Sequence, residues 1–276
     1  MGFNGGLITP LKIFWSTQMR IIAIANQKGG CAKTTTVVNL AACLAELQNK
    51  VLVIDLDPQA NASHWLGANG PEDGAMLIFK STESLDKVIG SCGVPGVDII
   101  AASQDLAQIE KVLSGELAVE TILKRRLKKM PVDAYDYVLI DTPPTLGLLT
   151  LNALAVAKEL LVPVTTHVMT LSGVTQLINT IQDVQEILNP ELDILGFIAS
   201  RFDSRTRHSH DVLGSLVEQF GNQVFKTKIR ENIRLAEAPS FSESIIEYDK
   251  NSYAADDYRA LAKEIMQRIN PNTASS

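Results

Sequence analysis

Between residues 26 and 35 the chain reads Asn26-Gln27-Lys28-Gly29-Gly30-Cys31-Ala32-Lys33-Thr34-Thr35, with two lysines and two threonine hydroxyls around a pair of glycines. Those residue types at that spacing suit the binding of phosphates. Glycines let the backbone approach an anion without a Cβ in the way. A loop that leaves a strand and opens a helix points N–H groups at the anion, and the helix dipole adds to the attraction. Lys33 is then placed to reach β- and γ-phosphates, and the Thr34 hydroxyl to bind Mg2+. The strict motif GxxxxGK[ST] fails at two positions, because Gln27 and Ala32 stand where it requires glycine. The match is to the deviant form KGGxxK[ST], which carries a second lysine, Lys28, at the head of the loop. A plain Gly-Gly turn that happens to hold lysines is the competing reading.

Two acidic segments supply the complementary chemistry. One is Val53-Ile54-Asp55-Leu56-Asp57-Pro58-Gln59, the other Tyr135-Asp136-Tyr137-Val138-Leu139-Ile140-Asp141-Thr142-Pro143-Pro144. In each, an apolar strand-like run ends in aspartate. Carboxylates at strand ends can hold Mg2+ or its waters and can orient an attacking water. A single aspartate after a strand is more often a turn or helix cap. Two of them, beside a lysine loop, point to a nucleotide site.

The elements that carry these residues follow from the hydrophobic pattern. Arg20–Ala25, Val51–Asp55, Val97–Ala101, Tyr137–Asp141, Leu160–Pro163 and Ile194–Ser200 read as buried strands. Helical periodicity falls between them, at about Thr34–Gln48, Ala118–Lys129, Leu148–Ala157 and Gly173–Leu188. Short apolar strands alternating with helices predict a single doubly wound α/β domain, a mostly parallel sheet with helices on both faces, and the lysine loop after its first strand makes the P-loop NTPase type the expected one. In an open sheet of this kind the ligand lies outside the carboxyl ends of the strands, where the lysine loop and both aspartates fall. No linker or internal repeat divides the 276 residues. The expected organisation is an N-terminal extension at 1–18 that packs poorly, the ATPase domain at 19–270, and a polar tail at 271–276. Residues 1–18 carry apolar side chains but little positive charge and no small-residue cleavage site, which argues against a secretory signal. Met19 directly precedes the first strand and reads as an alternative start; a leader that touches membrane or partner is the other option.

Composition limits the partners. Lys and Arg number 25 against 31 Asp and Glu, a net charge of −6, so any nucleic-acid contact must come from a local patch. Cys31, Cys43 and Cys92 form no paired spacing, which argues against a disulfide framework or structural zinc and fits a cytoplasmic protein. His208 and His210 flank Ser209 with no third ligand at metal spacing.

The segments KGGCAKTT, VIDLDPQAN and YDYVLIDTPPTLGLLTLNAL resemble the ParA/MinD family of deviant-Walker ATPases, and the resemblance extends through INTIQDVQEILNPEL to KTKIRENIRLAEAPSFSESIIEYD. The C-terminal pattern is similar to the chromosomal ParA, or Soj-like, branch. The resemblance implies an ATP- and Mg2+-dependent hydrolase that forms a homodimer on ATP and binds double-stranded DNA without sequence preference. A ParB-like or cargo-adaptor protein would stimulate hydrolysis, and a partition complex or a protein assembly would be the cargo. It implies a cytoplasmic, nucleoid-associated protein with no stable membrane association. By the same resemblance Lys28 is the signature lysine that reaches the partner subunit's phosphates. Gly29, Gly30, Cys31, Ala32 and Thr35 complete the phosphate loop around Lys33 and Thr34. Asp57 is the switch aspartate needed for hydrolysis, Asp141 supports Mg2+, and Thr34, Asp57 and Asp141 together are the candidate metal ligands.

Departures from the family pattern fall at Ala32, which stands for glycine, at Thr170-Leu171-Ser172-Gly173, and at Ile229, which stands for proline. The added methyl of Ala32 is expected to matter if its backbone needs a positive φ. From Arg201 to Arg234 seven basic residues stand against four acidic ones, and the resemblance makes Arg201, Arg230 and Arg234 the candidates for DNA phosphates. A solvated charged surface is the alternative for each. The run Lys124-Arg125-Arg126-Leu127-Lys128-Lys129 reads as cations favouring a helix C-terminus, with a second DNA contact as the other option. A MinD-like membrane-surface regulator is the alternative function. It would need a C-terminal amphipathic helix, whereas Tyr258–Ile269 reads as a helix closing the core. A relative of the nitrogenase iron protein is the third option, but it would need cluster-ligating cysteines that the chain lacks at those positions.

Overall fold

The computed structural model describes residues 19–166 and 171–268, with the backbone alone at 171–173. The expectations for 1–18 and 271–276, and Thr170 of the departing segment, lie outside the described residues. Eight strands form one sheet: β1 (Arg20–Ile24), β2 (Val51–Asp55), β3 (Gly90–Ser91), β4 (Val97–Ile100), β5 (Tyr137–Asp141), β6 (Glu159–Thr165), β7 (Asp193–Phe202) and β8 (Val224–Arg230). Their order across the sheet is β3-β4-β2-β5-β1-β6-β7-β8, and every pairing is parallel except β3 with β4. The α-helices are α1 (Lys33–Glu46), α2 (Asn61–Trp65), α3 (Gly74–Lys80), α4 (Ile109–Val112), α5 (Ile122–Leu127) and α6 (Leu148–Val156). After these come α7 (Leu171–Ile187), α8 (Arg207–Phe220), α9 (Ile233–Glu237), α10 (Ile245–Tyr248) and α11 (Tyr253–Gln267).

Strand alternation divides the core into two layers, because successive side chains point to opposite faces. Ile21, Ala23, Leu52, Ile54, Val138 and Ile140 pack on one face with side chains of α3, α5, α6, α7 and α8. Ile22, Ile24, Val51, Val53 and Leu139 pack on the other with α1 and α11. Burial on both faces is the reason these strands read as continuous apolar runs. α11 contributes Ala254, Ala255, Tyr258, Leu261, Ala262 and Ile265 to the second layer, so its apolar face is covered. Near its end, Arg20 ties the start of β1 to the sheet and to this helix. The guanidinium donates to both oxygens of the buried Glu159, at 2.8 and 2.6 Å, and to the Ile265 carbonyl at 3.0 Å.

The structure corrects two local expectations. The helix predicted from Ala118 begins as a 3-10 turn at Val119–Thr121 and becomes α-helical only at Ile122. Ala118 adopts φ 54, a left-handed conformation that keeps it outside any right-handed helix. The segment Val224–Arg230, treated as part of a basic stretch, is the edge strand β8. Its lysines are the charges that edge strands carry to discourage pairing with another chain.

Candidate functional site

Strand order decides what meets at the carboxyl edge. β2, β5 and β1 are neighbours, with Asp55 opposite Asp141 and Asp141 opposite Ile24 in register. The loop after β1 therefore runs beside two aspartate-terminated strands, at the point where connections leave the central strand in both directions. Asn26 shapes its entry. Its amide donates to the Pro163 carbonyl at 2.7 Å, and its side-chain oxygen accepts from the Lys28 N–H at 3.1 Å. The Thr142 hydroxyl donates to the Ile24 carbonyl at 2.9 Å and holds the β5 loop against it.

The loop leaves its apex open. A Cβ added at Gly29 or Gly30 would meet nothing within 4 Å, and Gly30 adopts φ 73, a left-handed conformation suited to glycine. Ala32 also lies in the left-handed region, at φ 68 and ψ 31, directly before α1. Its methyl group is therefore held where glycine is the unstrained residue, at a cost of about 1 kcal/mol. No side chain caps α1, and no acidic residue occupies its first turn. Free N–H groups and the positive end of the dipole thus face the loop, an arrangement that favours a bound anion.

Three aspartates approach this loop with different partners. Asp55 is fully buried and fully engaged, accepting from the Asp57 N–H at 3.0 Å, the Ser63 N–H at 2.9 Å and the Ser63 hydroxyl at 2.7 Å. The Ser63 hydroxyl also accepts from the Ala102 N–H at 2.8 Å, so Asp55 organises α2 and the end of β4. Asp57 accepts from the Gln59 N–H at 3.0 Å. Asp141 accepts from the Thr34 hydroxyl at 2.7 Å through Oδ2, while Oδ1 is enclosed with no hydrogen-bond partner. Burial pushes the Asp55 carboxyl up to about 6. Burial, then the charge of Asp55, raise Asp141 well above the ordinary range, against the opposing pull of Thr34 and Lys33. A carboxylate so placed is costly until a cation joins it. The residues present therefore fit a bound divalent cation, with Thr34 and Asp141 as its nearest protein groups.

Around the loop lies a cleft of about 540 Å3. Gly29–Thr35 and Asp57 form one wall, and Arg201, Ile229, Arg230, Glu231 and Asn232 the other. Lys28 is not part of that lining; its ammonium group is enclosed with no hydrogen-bond partner. The three candidate arginines are all paired. Arg201 donates to Glu231 through Nε and Nη2, both at 3.0 Å. Arg230 is bound to the nearly buried Asp257 through Nε, Nη2 and its backbone N–H. Arg234 donates to Glu237 at 3.0 Å on the surface of α9 and does not line the cleft. Two arginines predicted as DNA contacts, Arg201 and Arg230, thus line the cleft around the loop. The Lys124–Lys129 run is not one surface, since Lys124 donates to the Leu188 carbonyl and Arg126 is buried.

Sequence reasoning missed Ser63, Glu231 and Asp257. Ser63 lies eight residues from the carboxylate it serves, Glu231 and Asp257 lie 30 and 27 residues from the arginines they hold, and no motif spacing announces such pairs.

Comparison with known proteins adds four findings. A family model described as an AAA domain matches residues 19–194. The sporulation initiation inhibitor protein Soj of Bacillus subtilis is 42% identical over 248 residues, covering 89% of the chain and 98% of that protein. The chromosome partitioning protein ParA of Myxococcus xanthus is 39% identical over 261 residues, covering 94% and 92%. Among solved structures, cobyrinic acid a,c-diamide synthase from Mycobacterium smegmatis, with bound ATP analog and magnesium, superposes with a TM-score of 0.80. It is 35% identical, over 90% of the chain and 94% of that one.

Proposed function

The chain belongs to the ParA/Soj family of chromosome-partitioning ATPases, and from that premise we propose that it is a nucleotide-driven positioning ATPase. Mg2+ and ATP are its cofactors in this reading, as supported by the related structure that holds an ATP analog and magnesium. The loop Gly29–Thr35 and the uncapped N-terminus of α1 would hold the triphosphate, with Lys33 the cation for its β- and γ-phosphates. Thr34 and Asp141 hold Mg2+, with Asp57 beside them. When bound, that ion neutralises charge on the phosphate oxygens as the γ-phosphoryl group departs. Asp57 orients the attacking water. Lys28 leaves its enclosed position and reaches the phosphates of a second copy, which makes dimerisation depend on ATP.

The ATP-bound dimer holds double-stranded DNA through phosphate contacts from Arg201, Arg230 and Arg234, without reading sequence. A ParB-like or cargo-adaptor partner stimulates hydrolysis and releases the dimer. Repeated cycles then carry a chromosome or plasmid partition complex, or a protein assembly, along the nucleoid. The observation that carries the reading is Asp141: a buried carboxylate oxygen without a partner, beside a threonine hydroxyl and an open phosphate loop. The membrane-surface alternative is disfavoured, because the apolar face of α11 is covered by the core. No described helix is long and apolar enough to cross a membrane.

Light scattering and phosphate release test this together. The reading expects a dimer with ATP and magnesium, a monomer with ADP, and hydrolysis abolished by chelation. A monomer under every condition, or hydrolysis that persists in excess chelator, would count against it.

A further inference from the structure

We propose that Glu231 is a built-in competitor for Arg201: its carboxylate holds the guanidinium that a DNA phosphate would take, and so limits how tightly the chain binds double-stranded DNA. The inference rests on the DNA-binding reading above and concerns what sets the strength of that binding.

The geometry separates Arg201 from its neighbours. Arg201 lies near the end of β7 with φ 53, a left-handed conformation unusual for arginine, and lines the cleft. Glu231 follows β8, and its N–H donates to the Phe202 carbonyl at 3.1 Å, which seats the carboxylate beside the arginine. The two form a fork of two bonds, each 3.0 Å. Both ends remain accessible, with side-chain exposures of 48% and 38%. A large anion can therefore reach Arg201 and displace its partner. Arg230 would have to meet a phosphate with its own partner still in place. Its partner Asp257 is 10% exposed, and the guanidinium also donates to the Tyr253 carbonyl and lies 4.7 Å from the Tyr253 ring.

Carboxylate and phosphate present similar paired oxygens to a guanidinium, so a DNA contact by Arg201 replaces one fork with another. The gain from the phosphate is reduced by the fork that is lost. The displaced carboxylate then stays near the incoming phosphate and repels it. Both penalties act through the single charge of Glu231. Exposed ion pairs of this kind are weak, so removing it should tighten DNA binding by about two- to five-fold. Removing the carboxylate also raises the net positive charge at the contact, which should steepen the salt dependence by at most about 0.9 in log K against log salt.

The test is a double-mutant cycle on the full chain with ATP and magnesium, read by anisotropy of a fluorescent duplex of arbitrary sequence. Wild type, Glu231→Gln, Arg201→Gln and the double variant are compared, with thermal melts confirming that each is folded. Glu231→Ala repeats the first variant without an acceptor, since a glutamine oxygen can still accept a bond from Arg201. The expected result is tighter, more salt-sensitive binding by both Glu231 variants, and no gain from Glu231→Gln when Arg201 is absent. An equal gain in the Arg201→Gln background would make Glu231 a general repulsive charge and overturn the inference, as would no gain at all. Failure of all the proteins to bind DNA would overturn the DNA reading, and this inference with it.

Discussion

On the phosphate-loop side of the site, Asp141 Oδ1 and the Lys28 ammonium group are enclosed with no hydrogen-bond partner. On the facing side, Arg201, Arg230 and Arg234 each hold a carboxylate. The first region is electrostatically incomplete by itself, while the second is internally neutralised. An incomplete site gains from a ligand that supplies both signs of charge, as a magnesium–triphosphate does. A neutralised surface gains little from an anion until a partner is given up. On the proposed reading a nucleotide binds first and DNA second, because the one relieves an existing cost and the other must displace existing pairs.

Substitutions on the two walls should therefore differ in kind. Lys33→Ala or Asp141→Ala should lower hydrolysis by about 100-fold or more, because each removes charge stabilisation at the phosphates. Steady-state phosphate release checks this, and a loss below ten-fold would break the assignment of that wall. The arginine wall should instead reveal itself in stability. Arg230→Ala leaves the nearly buried Asp257 without its cationic partner, with only the backbone N–H of residue 230 still donating to it, and should cost about 1–3 kcal/mol, whereas Arg234→Ala, with an exposed partner, should stay within about 0.5 kcal/mol. Denaturant melts of the two variants separate these values.

A third prediction concerns pH. The Asp55 carboxyl is raised by burial to about 6 and Asp141 is raised with it, so the native state keeps protons that the unfolded chain releases near pH 4. Unfolding then releases protons, and stability without nucleotide should fall as pH rises from about 4 through 6. Asp141→Asn should flatten that fall, which thermal melts across the range would detect; an unchanged slope would place the titration elsewhere. The smallest effect belongs to Ala32→Gly. Relief of the left-handed alanine, worth about 1 kcal/mol, is offset by the greater freedom of glycine in the unfolded chain, worth about 0.5–1 kcal/mol. The net gain should lie between zero and about 0.5 kcal/mol in chemical denaturation, and a loss would mean the loop does not need φ 68.

Much of the first region was legible in the sequence because its information is local. A buried strand run followed at once by Lys28–Thr35, by Asp55–Asp57 or by Asp141 marks strand, loop and ligand group within ten residues. The parallel sheet then brings three such ends together. The second region was legible only in part. Arg201, Arg230 and Arg234 could be counted as charges, but whether each is available depends on Glu231, Asp257 and Glu237. The first two partners lie 30 and 27 residues away, across turns that no periodicity predicts. β8 was missed for a related reason: its alternating lysines mark an edge strand and read as a basic patch when the neighbouring β7 is unknown. The need for a positive φ at Ala32 was anticipated from its place in the motif, and φ 68 meets that condition.

The central claim is that ATP gates DNA binding through Lys28, and co-sedimentation with DNA tests it most directly. The protein should pellet with DNA in ATP and magnesium, remain in solution in ADP, and remain there in ATP when Lys28 is changed to alanine, with added salt weakening the first result. Equal pelleting in ATP and ADP, or full binding by Lys28→Ala, would contradict the account.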